Sequence, residues 1–208
     1  PYGKAMWALG INLYFNESSR LAQSVHSIFV RNLSQMENIR DLRTAAYTML
    51  GLYYYVLTYE TKTDAAGLAK EHMKKLANFL VKAYEKNCST TWNWFEDSVT
   101  YDNFRLPQAL FAAYIITGSE KYKQVATVTL NFITECNFDK KNGYFDFIGQ
   151  DGWYGKGKVK ANYDQQPLEA AAAVDAYLFA SKALHKKMYY NQARLAFEWF
   201  FGNNRNRR

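Results

Sequence analysis

The chain has 208 residues, enough for one domain with a substantial core, and 49% of them are hydrophobic. Its net charge of +7 does not indicate a nucleic-acid-binding protein, because Arg205, Arg207 and Arg208 at the end supply three of the excess positive charges. The longest apolar run, about eleven residues from Tyr47 to Leu57, is too short to span a bilayer, and we expect no secretory leader. We therefore expect no nucleic-acid partner and no membrane span, and a cytoplasmic location is the default.

Neither metal nor cofactor chemistry is indicated. Cys88 and Cys136 are far apart and form no C-x-x-C motif, and the three histidines are isolated, each on a predicted helix or at its end. The glycine-rich stretch 149–157 lacks the signature of a phosphate-binding loop. We expect no metal ion and no cofactor.

Apolar residues recur at helical spacing through most of the chain, which predicts an all-α fold. Gly118, just before the N-cap candidate Ser119, indicates a helix end, while Pro107 and Pro167 fall where first helical turns tolerate proline. The predicted helices are Lys4–Phe15, Glu17–Asn32, Ile39–Tyr59, Asp64–Asn87, Phe104–Thr117, Ser119–Glu135, Pro167–Leu184 and Lys187–Phe201.

One pattern occurs twice, about sixty residues apart. Tyr101-Asp102-Asn103 leads through Pro107 into an alanine-rich helix, and Tyr163-Asp164-Gln165-Gln166 leads through Pro167 into another. That offset is the length of a pair of helical hairpins. We call Tyr101–Asn103 the first acid-amide corner and Tyr163–Gln166 the second. Each corner lies at the end of a long loop, 88–101 or 138–164, and the second loop could hold a small β-hairpin near 143–148. Long loops in compact domains are usually functional, so we expect both on one rim of the helical array.

The helices that follow the two corners have small side chains, whereas their partner helices have bulky ones. Such an alternation predicts inner and outer helices, as in an α/α toroid made of about four hairpins. The small residues are Ala109, Ala112, Ala113, Ala170 to Ala173 and Ala176.

Four stretches resemble the helical domain that accompanies bacterial and archaeal glycosyltransferases, a member of the six-hairpin glycosidase-like superfamily. They are Trp92–Leu110, Gly149–Gly155, Tyr163–Ala170 and the opening Gly3–Gly10. The resemblance covers almost the whole chain and implies an α/α toroid with carbohydrate binding or chemistry. It also implies a glycosyltransferase domain as a candidate partner. An open ring would expose apolar edges, which favours a missing segment, a neighbouring domain or a partner chain such as a second copy. A complete toroid has six hairpins, so we expect the single domain 1–208 to be an excerpt of a larger ring.

Glycoside hydrolysis uses two carboxyl groups, one as an acid and one as a base or nucleophile. Glu96 and Asp97 follow two tryptophans, so a carboxyl group there could be desolvated and suit a general acid. Asp164 on the second loop is the candidate for the second carboxyl group, opposite Glu96 or Asp97. We name these three as catalytic candidates.

Aromatic rings can stack on the apolar face of a sugar while amides and carboxylates bind its hydroxyls. The aromatic candidates for substrate binding are Trp92, Trp94, Tyr101, Trp153, Tyr154 and Tyr163. The polar candidates are Asp102, Asn103, Arg105, Gln165, Gln166 and Glu169.

Structural roles compete with these functional ones. Asp102 and Asp164 could cap the helices that follow them, and Arg105 could pair with Asp102 or Glu96. Trp92 or Trp94 could plug the first loop onto the helix ends. At the level of function, a domain that binds or hydrolyses an oligosaccharide or glycoconjugate competes with a non-catalytic scaffold that docks on a glycosyltransferase or on itself. The sequence leaves enzymatic activity open between these alternatives.

Overall fold

The computed structural model describes residues 1–207, and Arg208 of the basic tail lies outside the described residues. Eight α-helices make up most of this part of the chain. They are α1 (Tyr2–Phe15), α2 (Ala22–Arg31), α3 (Leu42–Tyr59), α4 (Ala65–Asn87), α5 (Arg105–Thr117), α6 (Glu120–Asn137), α7 (Pro167–Leu184) and α8 (Lys187–Glu198). Short 3-10 helices cover Leu33–Asn38 and Trp199–Phe201.

The odd-numbered helices form the inner layer. Helix α1 packs on α3, α3 on α5 and α5 on α7, while α2, α4, α6 and α8 each lie behind the inner helix that precedes them. This alternation confirms the predicted α/α hairpin architecture. None of the helices in residues 1–207 combines the length and apolar character needed to cross a bilayer.

Inner helices approach closely because their contact faces are small. The alanines of α5 and α7 that face neighbouring helices are fully buried, as the sequence predicted. Glycines allow the same close approach between α1 and α3. A Cβ atom added to Gly10 would lie 2.3 Å from the carbonyl oxygen of Gly51, and a Cβ atom added to Gly3 would lie 2.6 Å from the carbonyl oxygen of Thr44. This backbone contact was not predicted from the sequence.

Helix ends follow local rules at some positions and not at others. Gly118 ends α5 in the left-handed conformation, with a φ of 70°, as predicted. Asp41 caps α3 by accepting a 2.7 Å hydrogen bond from the Thr44 amide. Ser119 stands at the N-cap of α6 and Asp64 at that of α4, but neither side chain accepts a capping hydrogen bond.

Four two-residue strands organise the loops. Strands β2 (Phe138–Asp139) and β3 (Tyr144–Phe145) form the small antiparallel hairpin predicted in the second loop, although it begins earlier than expected. Strand β1 (Ser98–Val99) of the first loop pairs with β4 (Tyr154–Gly155) of the second. The two loops therefore belong to one surface.

Candidate functional site

The two corner loops meet at the end of the bundle where α5 and α7 begin. Ser98 pairs with Gly155 and Val99 with Tyr154, and the Lys156 amide donates a 2.8 Å hydrogen bond to the Asp97 carbonyl. Since α5 and α7 are neighbouring inner helices, both acid-amide corners lie on the same rim. This confirms the expected common rim.

Asp102 and Asp164 have the same unusual backbone. Their φ angles are 50° and 58°, in the left-handed region that aspartate and asparagine tolerate better than most residues. Neither aspartate caps the helix that follows. The N-cap residues are Phe104 and Gln166, and neither provides a side-chain capping bond. The capping alternative for the two aspartates is therefore wrong.

The environments of the two aspartates differ. Asp102 is buried; the Tyr47 hydroxyl donates a hydrogen bond to its Oδ2 atom, and Arg105 Nε lies 3.3 Å from its Oδ1 atom. The Arg105 contact is an ion pair whose angles do not make a hydrogen bond. Asp164 is exposed. Within residues 1–207 its carboxylate makes no hydrogen bond or ion pair with another side chain.

Glu169, in the first turn of α7, lies beneath the rim and is only 2% exposed. Its Oε2 atom accepts 3.3 Å hydrogen bonds from the backbone amide and the side-chain amide of Asn103, while its Oε1 atom has no partner within the described residues. Burial, and then the charge of Asp102, raises the pKa of Glu169 from 4.5 to about 7. At neutral pH, Glu169 is therefore partly protonated.

Arg43 of α3 holds the first loop in place, and the sequence analysis missed it. Its guanidinium donates hydrogen bonds to the Tyr101 carbonyl at 2.8 Å, to Glu96 Oε2 at 2.6 Å and to Asn103 Oδ1 at 3.2 Å. The signal available in the sequence was a single charged residue near the start of the otherwise uncharged stretch Leu42–Tyr59, and the structure buries its side chain. Glu96 forms its ion pair with Arg43, whereas Arg105 pairs with other carboxylates.

Arg105 instead connects the first corner with the inner wall. Its Nη1 atom lies 2.6 Å from Asp175 Oδ2 and 2.7 Å from Gln108 Oε1. The guanidinium also lies over the Trp7 ring, 4.6 Å from the ring centroid. Of the two predicted partners of Arg105, Asp102 is confirmed and Glu96 is wrong.

Two of the predicted stacking surfaces are part of the core. Trp92 is 2% exposed and donates a 2.7 Å hydrogen bond from Nε1 to the Glu96 carbonyl, and Trp94 is fully buried against Phe132. The expectation that Trp92 and Trp94 offer rings to a sugar is therefore wrong, and the plugging alternative describes them. Glu96 does not lie in the apolar setting that was expected beside these tryptophans. Its side chain is 34% exposed and forms an ion pair with Arg43.

The remaining candidates divide between the surface and the layer below it. Asp102, Asn103, Arg105 and Glu169 are buried, so they support the rim instead of facing solvent. Tyr101 and Tyr163 are 40% and 73% exposed. The half-buried candidates are Trp153, Tyr154, Gln165 and Gln166.

Glu96 and Asp164 do not face each other across a single pocket. Asp164 lines a pocket of about 720 Å³ between the second corner and the C-terminal segment. Glu96 lines a different groove, of about 390 Å³, between Leu42 and Phe95. The predicted opposition of these two carboxyl groups over one hollow is therefore wrong, although their loops are hydrogen-bonded together.

No group of three or more His, Cys, Asp or Glu side chains within residues 1–207 could hold a metal ion. The site therefore consists of acidic, amide and aromatic side chains above a buried layer of charged ones. This arrangement can accept hydrogen bonds from hydroxyl groups and pack rings against an apolar surface.

Comparisons with known proteins identify the fold. No protein-family model matches the chain, and no curated protein matches it. Among solved structures it is similar to an unsaturated glucuronyl hydrolase specific for heparin, with a TM-score of 0.70 and 14% identity over 96% of this chain and 56% of that one. It is also similar to the GH76 α-mannanase of Bacteroides thetaiotaomicron, with a TM-score of 0.58 and 12% identity over 94% of this chain and 59% of that one. These likenesses confirm the six-hairpin glycosidase-like α/α toroid fold, and the chain spans less than two thirds of either structure.

Proposed function

We propose that the chain is a carbohydrate-binding part of a glycosidase-like α/α toroid and holds an oligosaccharide or glycoconjugate over its rim. The observation that carries the proposal is the repeated acid-amide corner: Asp102 and Asp164 lie just before two neighbouring inner helices and have the same left-handed backbone, and their loops are joined by β1 and β4. Such a rim presents exposed tyrosines, amides and a carboxylate together. Binding sites on loops held by a rigid scaffold are common.

The two structural neighbours support carbohydrate chemistry. One is named for unsaturated glucuronyl groups and heparin, and the other is named as a mannanase. Both are hydrolases of carbohydrates by name, and both share the fold at low identity. Fold alone does not transfer an activity, so the proposal depends on the rim itself.

Hydrolysis of the bound glycan would require two carboxyl groups. Asp164 is exposed at its corner, and Glu96 and Asp97 lie on the partner loop. Because Glu96 and Asp164 line different cavities, a substrate would have to extend across both loops to meet them. This favours an oligosaccharide over a single sugar.

The experiment measures binding on a glycan array and the release of reducing ends from soluble polysaccharides. Glu96→Gln, Asp97→Asn and Asp164→Asn are compared with the wild type and with the exposed control Asp151→Asn, which lies on the second loop outside the pocket. We expect Asp164→Asn to lower binding or turnover at least about tenfold, which corresponds to about 1.4 kcal/mol. Wild-type behaviour of all three variants would remove the catalytic part, and a protein that binds no glycan would contradict the whole proposal.

A non-catalytic scaffold is the second candidate, and the exposed apolar side chains favour it. Phe15 and Leu21, near the α1–α2 turn, are each 69% exposed, while Phe197 and Phe201, at the other end of the chain, are 51% and 75% exposed. Grouped exposure of this kind marks contact surfaces. A glycosyltransferase partner and a second copy of the chain stay predictions, and so does the expectation that residues 1–208 are an excerpt of a larger toroid.

Sedimentation of the chain over a range of concentrations, alone and with a bacterial or archaeal glycosyltransferase, tests the scaffold. Phe201→Asp should weaken any association, because it replaces an exposed ring by a charge. Asn191→Asp is the matched control: Asn191 is exposed on α8, and its replacement adds the same charge without removing an apolar side chain. A monomer that binds no glycosyltransferase would exclude the docking function.

A further inference from the structure

The pocket of about 720 Å³ has walls from two distant parts of the chain. Asn162 to Gln165 form one wall, and Trp199, Phe200 and Asn204 to Asn206 form the other. Its volume lies within the range of small-molecule sites. The sequence predicted Trp199 in a helix and Arg205 among the basic residues at the end of the chain, and it predicted no binding role for either.

Asp146 fixes the two walls relative to each other. Arg205 donates to both of its carboxylate oxygens, from Nε at 2.8 Å and from Nη2 at 2.5 Å, and Gln165 Nε2 donates to it at 2.7 Å. Lys160 also donates to the Asp146 carbonyl at 2.6 Å. Gln165 continues the network by accepting a hydrogen bond from Trp199 Nε1 at 3.3 Å. The pocket is therefore preorganised by a network of charge-assisted hydrogen bonds.

Several groups on the walls take no part in this network. Tyr163 is 73% exposed and Phe200 is 42% exposed. Within residues 1–207, the Tyr163 hydroxyl and the Asp164 carboxylate make no hydrogen bond with another side chain. They offer a flat aromatic face and hydrogen-bond acceptors at the mouth of the pocket.

We propose that this pocket, bounded by Asn162–Gln165 on one side and by Trp199, Phe200 and Asn204–Asn206 on the other, is a subsite for a neutral hexose unit of the bound glycan. The proposal rests on the proposed function and names the sugar class at the second corner. Tyr163 and Phe200 pack against the apolar face of the ring. Asp164 accepts hydrogen bonds from hydroxyl groups of the sugar.

The geometry disfavours an acidic sugar. Among the described residues that line the pocket, the cation is Arg205, and its Nε and Nη2 atoms are already used by Asp146 and by Asn162 Oδ1, the latter at 3.0 Å. A uronate carboxylate could therefore reach Arg205 only through Nη1 and could not form the paired contact that makes such recognition strong. The unpaired carboxylate of Asp164 would repel it as well.

Matched tetrasaccharides test the proposal: those of mannose and mannuronate, glucose and glucuronate, and galactose and galacturonate, measured by calorimetry at pH 7. For the stereochemistry that binds, we expect the neutral member to bind at least about fivefold more tightly than its uronate. Tyr163→Ala should weaken binding of the neutral sugar at least about fivefold. Asp164→Asn keeps a residue that tolerates the left-handed backbone. It should reduce the difference in affinity between the neutral tetrasaccharide and its uronate, because it removes the negative charge that repels the uronate.

Tyr190→Ala and Asp151→Asn are the matched controls, because both residues are exposed and lie outside the pocket. They should bind like the wild type. Tighter binding of the uronate, or neutral-sugar binding that Tyr163→Ala leaves unchanged, would overturn the subsite while leaving glycan binding by the rim intact. Failure of the wild type to bind any member would contradict both this subsite and the proposed function.

Discussion

The carboxyl groups of Asp102 and Glu169 are buried near each other where α5 and α7 begin, and the charge on Asp102 contributes to the raised pKa of Glu169. Asn103 donates two hydrogen bonds to Glu169 at 3.3 Å, and Tyr47 donates one to Asp102. One oxygen of Glu169 has no partner within residues 1–207. Two carboxyl groups in such a setting are difficult to ionise together, so Glu169 takes up the proton. The first corner is therefore sensitive to pH.

Glu169 should make the folded state less stable as the pH rises. Its pKa is raised from 4.5 to about 7, so the folded protein binds more protons than the unfolded chain between these values. The stabilisation is complete below pH 4.5, and up to about 3 kcal/mol of it is lost as the pH rises through 7. Glu169→Gln should remove this loss, as measured by urea unfolding from pH 5 to 8.

The comparison with the variant is necessary because His72 acts in the opposite direction. Burial, and then the charge of Lys75, lowers the pKa of His72, so its contribution favours folding as the pH rises. The exposed Glu135→Gln serves as the control and should follow the wild-type curve. Parallel curves for Glu169→Gln and wild type would contradict the protonated state of Glu169.

Arg43→Lys should destabilise the protein by about 2–4 kcal/mol, since lysine cannot reproduce the fork that binds Glu96, Asn103 and the Tyr101 carbonyl. The first loop should also exchange its amide hydrogens faster. Arg40→Lys is the control: Arg40 is exposed and, within residues 1–207, donates to the nearby backbone carbonyls of Glu37 and Ile39, so its replacement should change stability by less than about 0.5 kcal/mol. Equal stability of the two variants would show that Arg43 does not hold the loop.

Gly149→Ala should disrupt the second corner. An added Cβ atom would lie 1.7 Å from the carbonyl oxygen of Tyr163, which the backbone must move to avoid. We expect a loss of about 1–3 kcal/mol and weaker binding at the pocket next to Tyr163. Gly67→Ala in α4 is the control, because the added Cβ atom would meet no atom within 4 Å. This substitution should stabilise the helix by about 0.5–1 kcal/mol. A thermal melt of Gly149→Ala that matches wild type would contradict the close contact.

Asp146→Asn should release the C-terminal segment from the second loop. Burial would raise the pKa of Asp146, but the hydrogen bonds from Arg205 and Gln165 and the charge of Lys160 outweigh it and lower the pKa to about 2. Its stabilisation is therefore present above pH 3.8 and is lost as the pH falls towards 2.

At pH 7 we expect Asp146→Asn to cost about 1–3 kcal/mol, because Arg205 is partly exposed and solvent weakens the pair. Hydrogen exchange should become faster between residues 199 and 207. Asp151→Asn should leave exchange in this segment unchanged. Unaltered protection in Asp146→Asn would mean that the segment is held by its apolar contacts.

Local patterns in the chain were sufficient to predict the helices and which of them form the inner layer. Apolar spacing depends on neighbours within a few turns, and Gly118 ends α5 by its own conformational freedom. The alanines of α5 and α7 predicted close packing because side-chain size is a property of the residue itself. The repeated corner could also be recognised, since it is written in two contiguous stretches.

The direction of each side chain was decided by distant residues. Trp94 is buried because Phe132 of α6 covers it, and Glu96 is paired because Arg43 reaches it from fifty-three positions earlier. Contacts over such separations depend on how the hairpins pack, and spacing along the chain does not encode them.

The amino-acid sequence by itself determined that this protein is a helical array with two acid-amide corners on neighbouring inner helices. Only the tertiary structure decided that Asp102 is buried and Asp164 exposed, and that Arg205 meets Asp146 fifty-nine positions away to build a pocket wall. The physical reason is that helix periodicity arises from local backbone bonding, whereas burial and charge pairing arise only when separate segments exclude water from each other.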